Sequence, residues 1–144
     1  MRTLLALIAL ISLTMPAMAA DYASQISAYR RAHGLSAVKI DARLNAVALQ
    51  QARAMASHGV VSHTVAGLFP VRIAKLRKRL AAENIAAGFA TFPETLKQWE
   101  NSTGHRENLL MVGAHKVGIA SAINRRRLMV CSGRWSSPIR DRRF

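Results

Sequence analysis

Three short polar fragments, set along an otherwise strongly apolar chain, constrain this fold more than any other feature: Ser62-His63-Thr64, Ala82-Glu83-Asn84-Ile85, and the stretch WENSTGHRENLL from Trp99 to Leu110. Together they supply two histidines, His63 and His105, and two carboxylates, Glu83 and Glu100. Such groups act together only if folding brings them together, around a metal ion or as partners in proton transfer. The segments between them must therefore form elements that return the chain to one place.

The pattern between the fragments is mixed helix and strand. Asp21 to His33 predicts a first helix stopped by Gly34. Asp41 is a good N-cap for a second, in which Leu44, Val47, Ala48, Ala52 and Met55 recur at helical spacing until Gly59. After Pro70, Ile73, Leu76 and Leu80 sit at helical spacing while Arg72, Lys75, Lys78 and Arg79 cover the rest, which predicts a short basic amphipathic helix whose basic face is either solvated or a contact for an anionic membrane. Thr91-Phe92-Pro93-Glu94 has the form of a capping box and opens a helix through Leu96 and Trp99. Glu100 falls near its end, five residues before His105, so on one unbroken helix the two would point apart. Gly104 offers the break. From Val117 the pattern alternates as in β-strands, with a hairpin turn near Asn124 and Arg125.

The N-terminus reads as a signal peptide over residues 1–19: Arg2, an apolar run from Leu4 to Leu13, then Pro16 and Ala17-Met18-Ala19. The run is shorter than the ~20 apolar residues of a spanning helix. Export, to a periplasmic or extracellular location, is the expectation. Residues 20–144 then form a single domain with a short basic tail, large enough for one core. Cys131 is the only cysteine in the chain, so no internal disulfide can form, and its apolar strand suits a buried small hydrophobe. A formal charge of +14 on 144 residues, with 21 Lys and Arg against 7 Asp and Glu, draws anionic partners. Anionic lipid, lipopolysaccharide or a cell-wall polymer suits an exported protein; nucleic acid is disfavoured because no nucleic-acid-binding module is recognisable.

The three fragments, in this order and followed by HKVGIASAI (His115 to Ile123) and RRLMVCSG (Arg126 to Gly133), resemble the CAP family, the cysteine-rich secretory, antigen 5 and pathogenesis-related proteins, in its bacterial form. The resemblance runs from about residue 22 to residue 135. It departs from the family pattern at Ala82, where glycine is usual, at Glu100, which directly follows Trp99, and in the basic segment after Val65. It implies an α+β fold, an α-β-α sandwich with a small antiparallel sheet between helical layers. It also implies a cleft in which His63, Glu83, His105 and less securely Glu100 hold a divalent metal, with Ser62, Asn84, Trp99, Ser102 and Arg106 lining it.

Two imidazoles and a carboxylate suit zinc with one position left for water. The same groups could instead hydrogen-bond one another as a buried polar network. His58 competes with His63, since both flank Gly59-Val60-Val61. Catalysis ranks last, because no serine and not Cys131 stands in a recognisable nucleophile motif. The expected function is binding, of a metal in the cleft and of an anionic or lipid-like partner on the basic surface. The alternative is a metal-dependent hydrolase acting on peptide or cell-wall material.

Overall fold

A computed structural model describes residues 3–74, 76, 80–123 and 128–136, and the side chains among them from residue 18 to residue 123. The element order is α1 (Thr3–Ala32), β1 (Lys39–Ile40), α2 (Ala42–His58), α3 (Phe69–Ala74), β2 (Leu80–Ala87), α4 (Phe92–Asn101), α5 (Thr103–Leu109), β3 (Ala114–Ile123) and β4 (Leu128–Ser136). The strands form one sheet in the order β1-β3-β4-β2, antiparallel except for the two-residue β1, which runs parallel to β3.

Side-chain alternation along the strands divides the core in two. On β3, Val117 and Ile119 join Ile26 of α1 and Phe92, Leu96 and Trp99 of α4. Ala120 and Ala122, from the alternate positions, pack with Ala48, Ala52 and Met55 of α2. The sheet is therefore sandwiched, with α2 on one face and α1 and α4 on the other. Small residues let α2 lie close: a methyl group at Gly118 would overlap the backbone of Leu44 and Asn45. α2 is bounded as its sequence predicts. The Asp41 carboxylate accepts from the Arg43 and Leu44 amides, and Gly59 closes the helix in the left-handed region at φ 68°. Thr91 and Glu94 form the capping box of α4.

Three boundaries differ from the sequence reading. α1 starts at Thr3 instead of Asp21 and continues through Pro16 to Ala32, since Ala17 to Ala20 offer no helix-stopping residue at the expected cleavage point. Among the described residues no helix is long and apolar enough to cross a membrane. The helix expected from Val71 to Leu80 is the six-residue α3, and Leu80 already belongs to β2, where pairing with β4 overrides local helical spacing. β3 begins at Ala114, three residues before Val117. The hairpin turn at Asn124 and Arg125, the basic tail, and the side chain of Cys131 lie outside the described residues.

One buried cation closes the structure. Arg30 of α1 is fully buried, and its guanidinium donates to the carbonyls of Ser36 (2.9 Å), Leu109 (2.9 Å), Met111 (3.1 Å) and Ala114 (3.0 Å). Leu109 is the last residue of α5, and a positive charge there suits the helix dipole. Burial draws the arginine pKa down from its ordinary value.

A candidate histidine cleft at the edge of the sheet

β2 is the edge strand nearest the site, and its alternation deals neighbouring residues to opposite faces. Glu83 shares the α2 side with Ile85, whereas Asn84 turns toward α5. Two carbonyls of this edge are covered by helices: Glu83 O accepts from Asn108 Nδ2 at 3.4 Å and Ile85 O from Trp99 Nε1 at 3.3 Å. Such covering keeps an edge strand from pairing with another chain.

His63 lies in the turn after α2, anchored by the Gln51 side-chain amide, which donates to the Ser62 carbonyl. Its Nδ1 is 2.9 Å from Glu83 Oε1. The Glu83 side chain is 2% exposed, while that of His63 is 52% exposed, so the carboxylate stands behind the imidazole and the ring reaches solvent. Arg72 completes the group. Its Nη2 donates to both carboxylate oxygens, at 2.9 and 2.8 Å, and to the His63 carbonyl at 3.2 Å, while Nε donates to Gly67 O at 3.0 Å. The guanidinium also lies 5.3 Å over the Phe69 ring.

The sequence reading assigned Arg72 to the outward, basic face of a helix. Its side chain is instead 4% exposed, because a buried carboxylate requires a compensating cation. Nothing in the run of basic residues from 72 to 79 singles out Arg72 as the inward one. Phe89 and Gln98 were likewise not anticipated, and both line the cleft.

His105 comes from α5, with its Nδ1 3.0 Å from Ser102 Oγ and its ring 6.4 Å from that of Trp99. Its backbone is fixed by Asn84, whose Nδ2 donates to His105 O at 3.0 Å, and Asn84 in turn accepts from Asn108 at 2.9 Å. Burial, and secondarily the nearby His63, lowers the His105 pKa from its ordinary value, which favours a neutral ring. His63 and His105 line one cavity of about 530 Å³ together with Ser62, Val61, Ile85, Ala86, Ala87, Phe89 and Gln98.

The remaining expected residues fall around this cleft rather than in it. Glu100 pairs with Lys97 at 3.3 Å, an exposed partner three residues away on α4. Trp99 and Asn84 are buried behind the cleft, and Arg106 donates to the Glu100 carbonyl at 3.4 Å. His58 bonds back to its own helix, at Ala54 O. Among the described residues, no three His, Cys, Asp or Glu side chains form a ready metal-binding group. What the structure does bring together is a pair of imidazoles, each held at Nδ1 by a neighbouring side chain.

A small sheet between helical layers, with a histidine cleft at its edge, defines the class of protein. The model of the CAP (cysteine-rich secretory protein) family matches residues 23–132, and the chain belongs to that family. Among solved structures it is similar to an extracellular protein containing an SCP domain from Bacillus anthracis, with a TM-score of 0.74 and 23% identity over 85% of this chain and 41% of the other. An outer surface protein of Borrelia burgdorferi gives a TM-score of 0.72 at 25% identity over 78% of this chain and 87% of the other. A cysteine-rich secretory protein from Staphylococcus aureus gives 0.68 at 19% identity over 85% and 39%. The chain thus spans about two fifths of the Bacillus and Staphylococcus proteins. No curated protein sequence matches it.

Proposed function

We propose that this chain is an exported CAP-domain binding protein whose cleft takes a divalent transition metal, zinc foremost, on the imidazoles of His63 and His105. Export is supported by the apolar N-terminal run and by the extracellular and outer-surface descriptions of the Bacillus and Borrelia relatives. The observation that carries the metal reading is the shared use of Nδ1. Glu83 holds His63 and Ser102 holds His105, which leaves the Nε2 atoms for a ligand. A carboxylate behind a ligating histidine orients the ring and fixes its tautomer, and a hydroxyl orients the ring and can accept the Nδ1 proton in the same way. Glu83 is therefore assigned the supporting role, and not that of a direct ligand, since both its oxygens already meet Arg72. Two protein ligands leave the remaining positions of a tetrahedral ion to water or to an oxygen-bearing ligand.

Calorimetric titration of the exported protein with zinc tests this. Binding should be lost in both His63→Ala and His105→Ala and retained in Glu100→Ala. Equal zinc binding by the wild type and by either histidine variant would overturn the two-imidazole site.

A further inference from the structure

Among the described residues, three buried side-chain atoms have no hydrogen-bond partner: Gln51 Oε1, Arg72 Nη1 and Gln98 Oε1. Of these three side chains, that of Gln98 alone lines the histidine cavity. Gln98 stands on α4 two residues before Glu100, and two residues turn about 200° around a helix. The face that gives Gln98 to the cavity therefore turns Glu100 away from it, to its pairing with Lys97. A buried carbonyl oxygen without a donor is a costly group, and in a native fold it calls for a partner from outside the chain.

The rest of the cavity bears on what that partner is. Nδ1 of His63 faces the Glu83 carboxylate, which only accepts, so Nδ1 carries the ring proton and Nε2 holds a lone pair. Ser62 Oγ is already engaged with Thr64, through its hydroxyl at 3.0 Å and its amide at 3.2 Å. Apart from His105, the other described lining residues are Val61, Ile85, Ala86, Ala87 and Phe89, whose side chains have no donor to give. Acceptors gathered without donors suit a cation. We infer that the side-chain carbonyl of Gln98 is a third ligand of the metal assigned to His63 and His105, which leaves one tetrahedral position for water or an outside ligand. The inference rests on the two-imidazole reading. The terminal torsion of a glutamine is broad, so Oε1 can turn from the cavity wall toward the ion without leaving a rotamer well. An amide oxygen is neutral and a weak ligand beside imidazole. Its loss should therefore cost about tenfold in zinc affinity, the low end for groups that support a metal site.

The experiment is calorimetric titration of the exported protein with zinc, joined to melting curves without zinc. Gln98→Leu is close to glutamine in size and lacks both polar atoms. It should bind zinc about tenfold more weakly than the wild type. Its zinc-free form should melt no lower, because the substitution removes an unsatisfied acceptor. His105→Ala should lose zinc binding outright. In wild-type protein, the carboxamide carbon resonance of Gln98 should shift with zinc at the stoichiometry that calorimetry gives. Those of Gln25 and Gln50, which lie outside the cavity, should stay in place. This NMR titration decides the matter if Gln98→Leu fails to fold. Zinc bound by the wild type, lost in His105→Ala and kept at full strength in Gln98→Leu would overturn the third ligand and leave the two imidazoles standing; so would a Gln98 carboxamide that zinc does not move. A zinc-free Gln98→Leu that melts well below the wild type would also overturn it, since the amide would then serve the fold itself. No zinc binding by the wild type would overturn this inference together with the reading beneath it.

Discussion

Replacing Arg30 by methionine should cost this protein a large share of its stability. The side chain makes four hydrogen bonds, all to backbone carbonyls, and methionine fills the stem of the cavity but donates nothing. The Ser36 and Met111 acceptors are partly open and can turn to water, whereas the bonds to Leu109 and Ala114 are buried. A hydrogen bond made by a charged group contributes about 1.5 to 3 kcal/mol, so loss of the two buried ones amounts to about 4 kcal/mol. Against a total of roughly 5 to 15 kcal/mol, that is a heavy loss. In urea, with a slope of about 2 kcal/mol per molar, the unfolding midpoint should fall by about 2 M. Arg30→Lys should lie between, because an ammonium is a compact group and cannot reach the acceptors that a planar fork spans. Leu109 stands one turn beyond His105, so the same substitution should loosen the cleft and reduce zinc binding in proportion to the unlocking of α5. A loss below about 1 kcal/mol would refute the reasoning, since it would mean that the Leu109 and Ala114 carbonyls are served as well without arginine as with it.

Gly118→Ala should lower stability by about 3 kcal/mol, the upper end for overpacking, because the added methyl meets helix backbone and not a movable side chain; thermal unfolding measures it. Asp41→Ala should cost about 1 kcal/mol or more as a lost N-cap, read from urea unfolding near neutral pH. Burial raises the Asp41 pKa, but the Leu44 and Arg43 amides and Lys116 outweigh it and leave it lowered, so its contribution should be present above the unfolded carboxylate range and disappear as pH falls through the native value. The gap between wild type and Asp41→Asn should accordingly close in strong acid. The lowered pKa of His105 acts oppositely to that of a paired histidine: acid protonates the unfolded chain first, so stability should fall as pH drops below about 6.5 and level off below the native value. Proton NMR of His63→Gln should show the His105 titration moving only partway up, since burial is the larger cause; no movement would separate the two rings.

Local signals made much of the frame legible. Asp41 and Gly59 bound α2 and Thr91 to Glu94 opens α4, because a capping side chain bonds backbone within its own turn and leaves its mark in adjacent residues. The pairing of His63 with Glu83 was legible through the order of the fragments. What escaped the sequence was long-range. Arg30 acts on carbonyls about eighty positions away, and Arg72 looks like its exposed basic neighbours until the fold places Glu83 beneath it. β2 escaped for the same reason: Leu80 fits a helical spacing, and only β4, some fifty residues on, makes the segment a strand. The short parallel β1 carries two exposed residues and no alternation to read.

Besides catalysis, the sequence left two accounts of the histidines, as ligands or as members of a hydrogen-bonded network, and under the proposed metal reading the two are compatible. Each ring spends Nδ1 on the network, which on that reading would direct Nε2 to a ligand. On the same reading Arg72 would bear on which cations the cleft suits. It engages both oxygens of Glu83, so the buried carboxylate offers little free negative charge, and the chain around it is strongly basic. Calcium and magnesium need several oxygen ligands and are drawn by carboxylate charge, so such a cleft disfavours them. Zinc and copper bind neutral imidazole through the nitrogen lone pair and depend less on that attraction. The lowered pKa of His105 keeps the lone pair available at neutral pH. Selectivity for a transition metal over calcium would thus follow from the arginine behind the carboxylate as much as from the histidines in front of it.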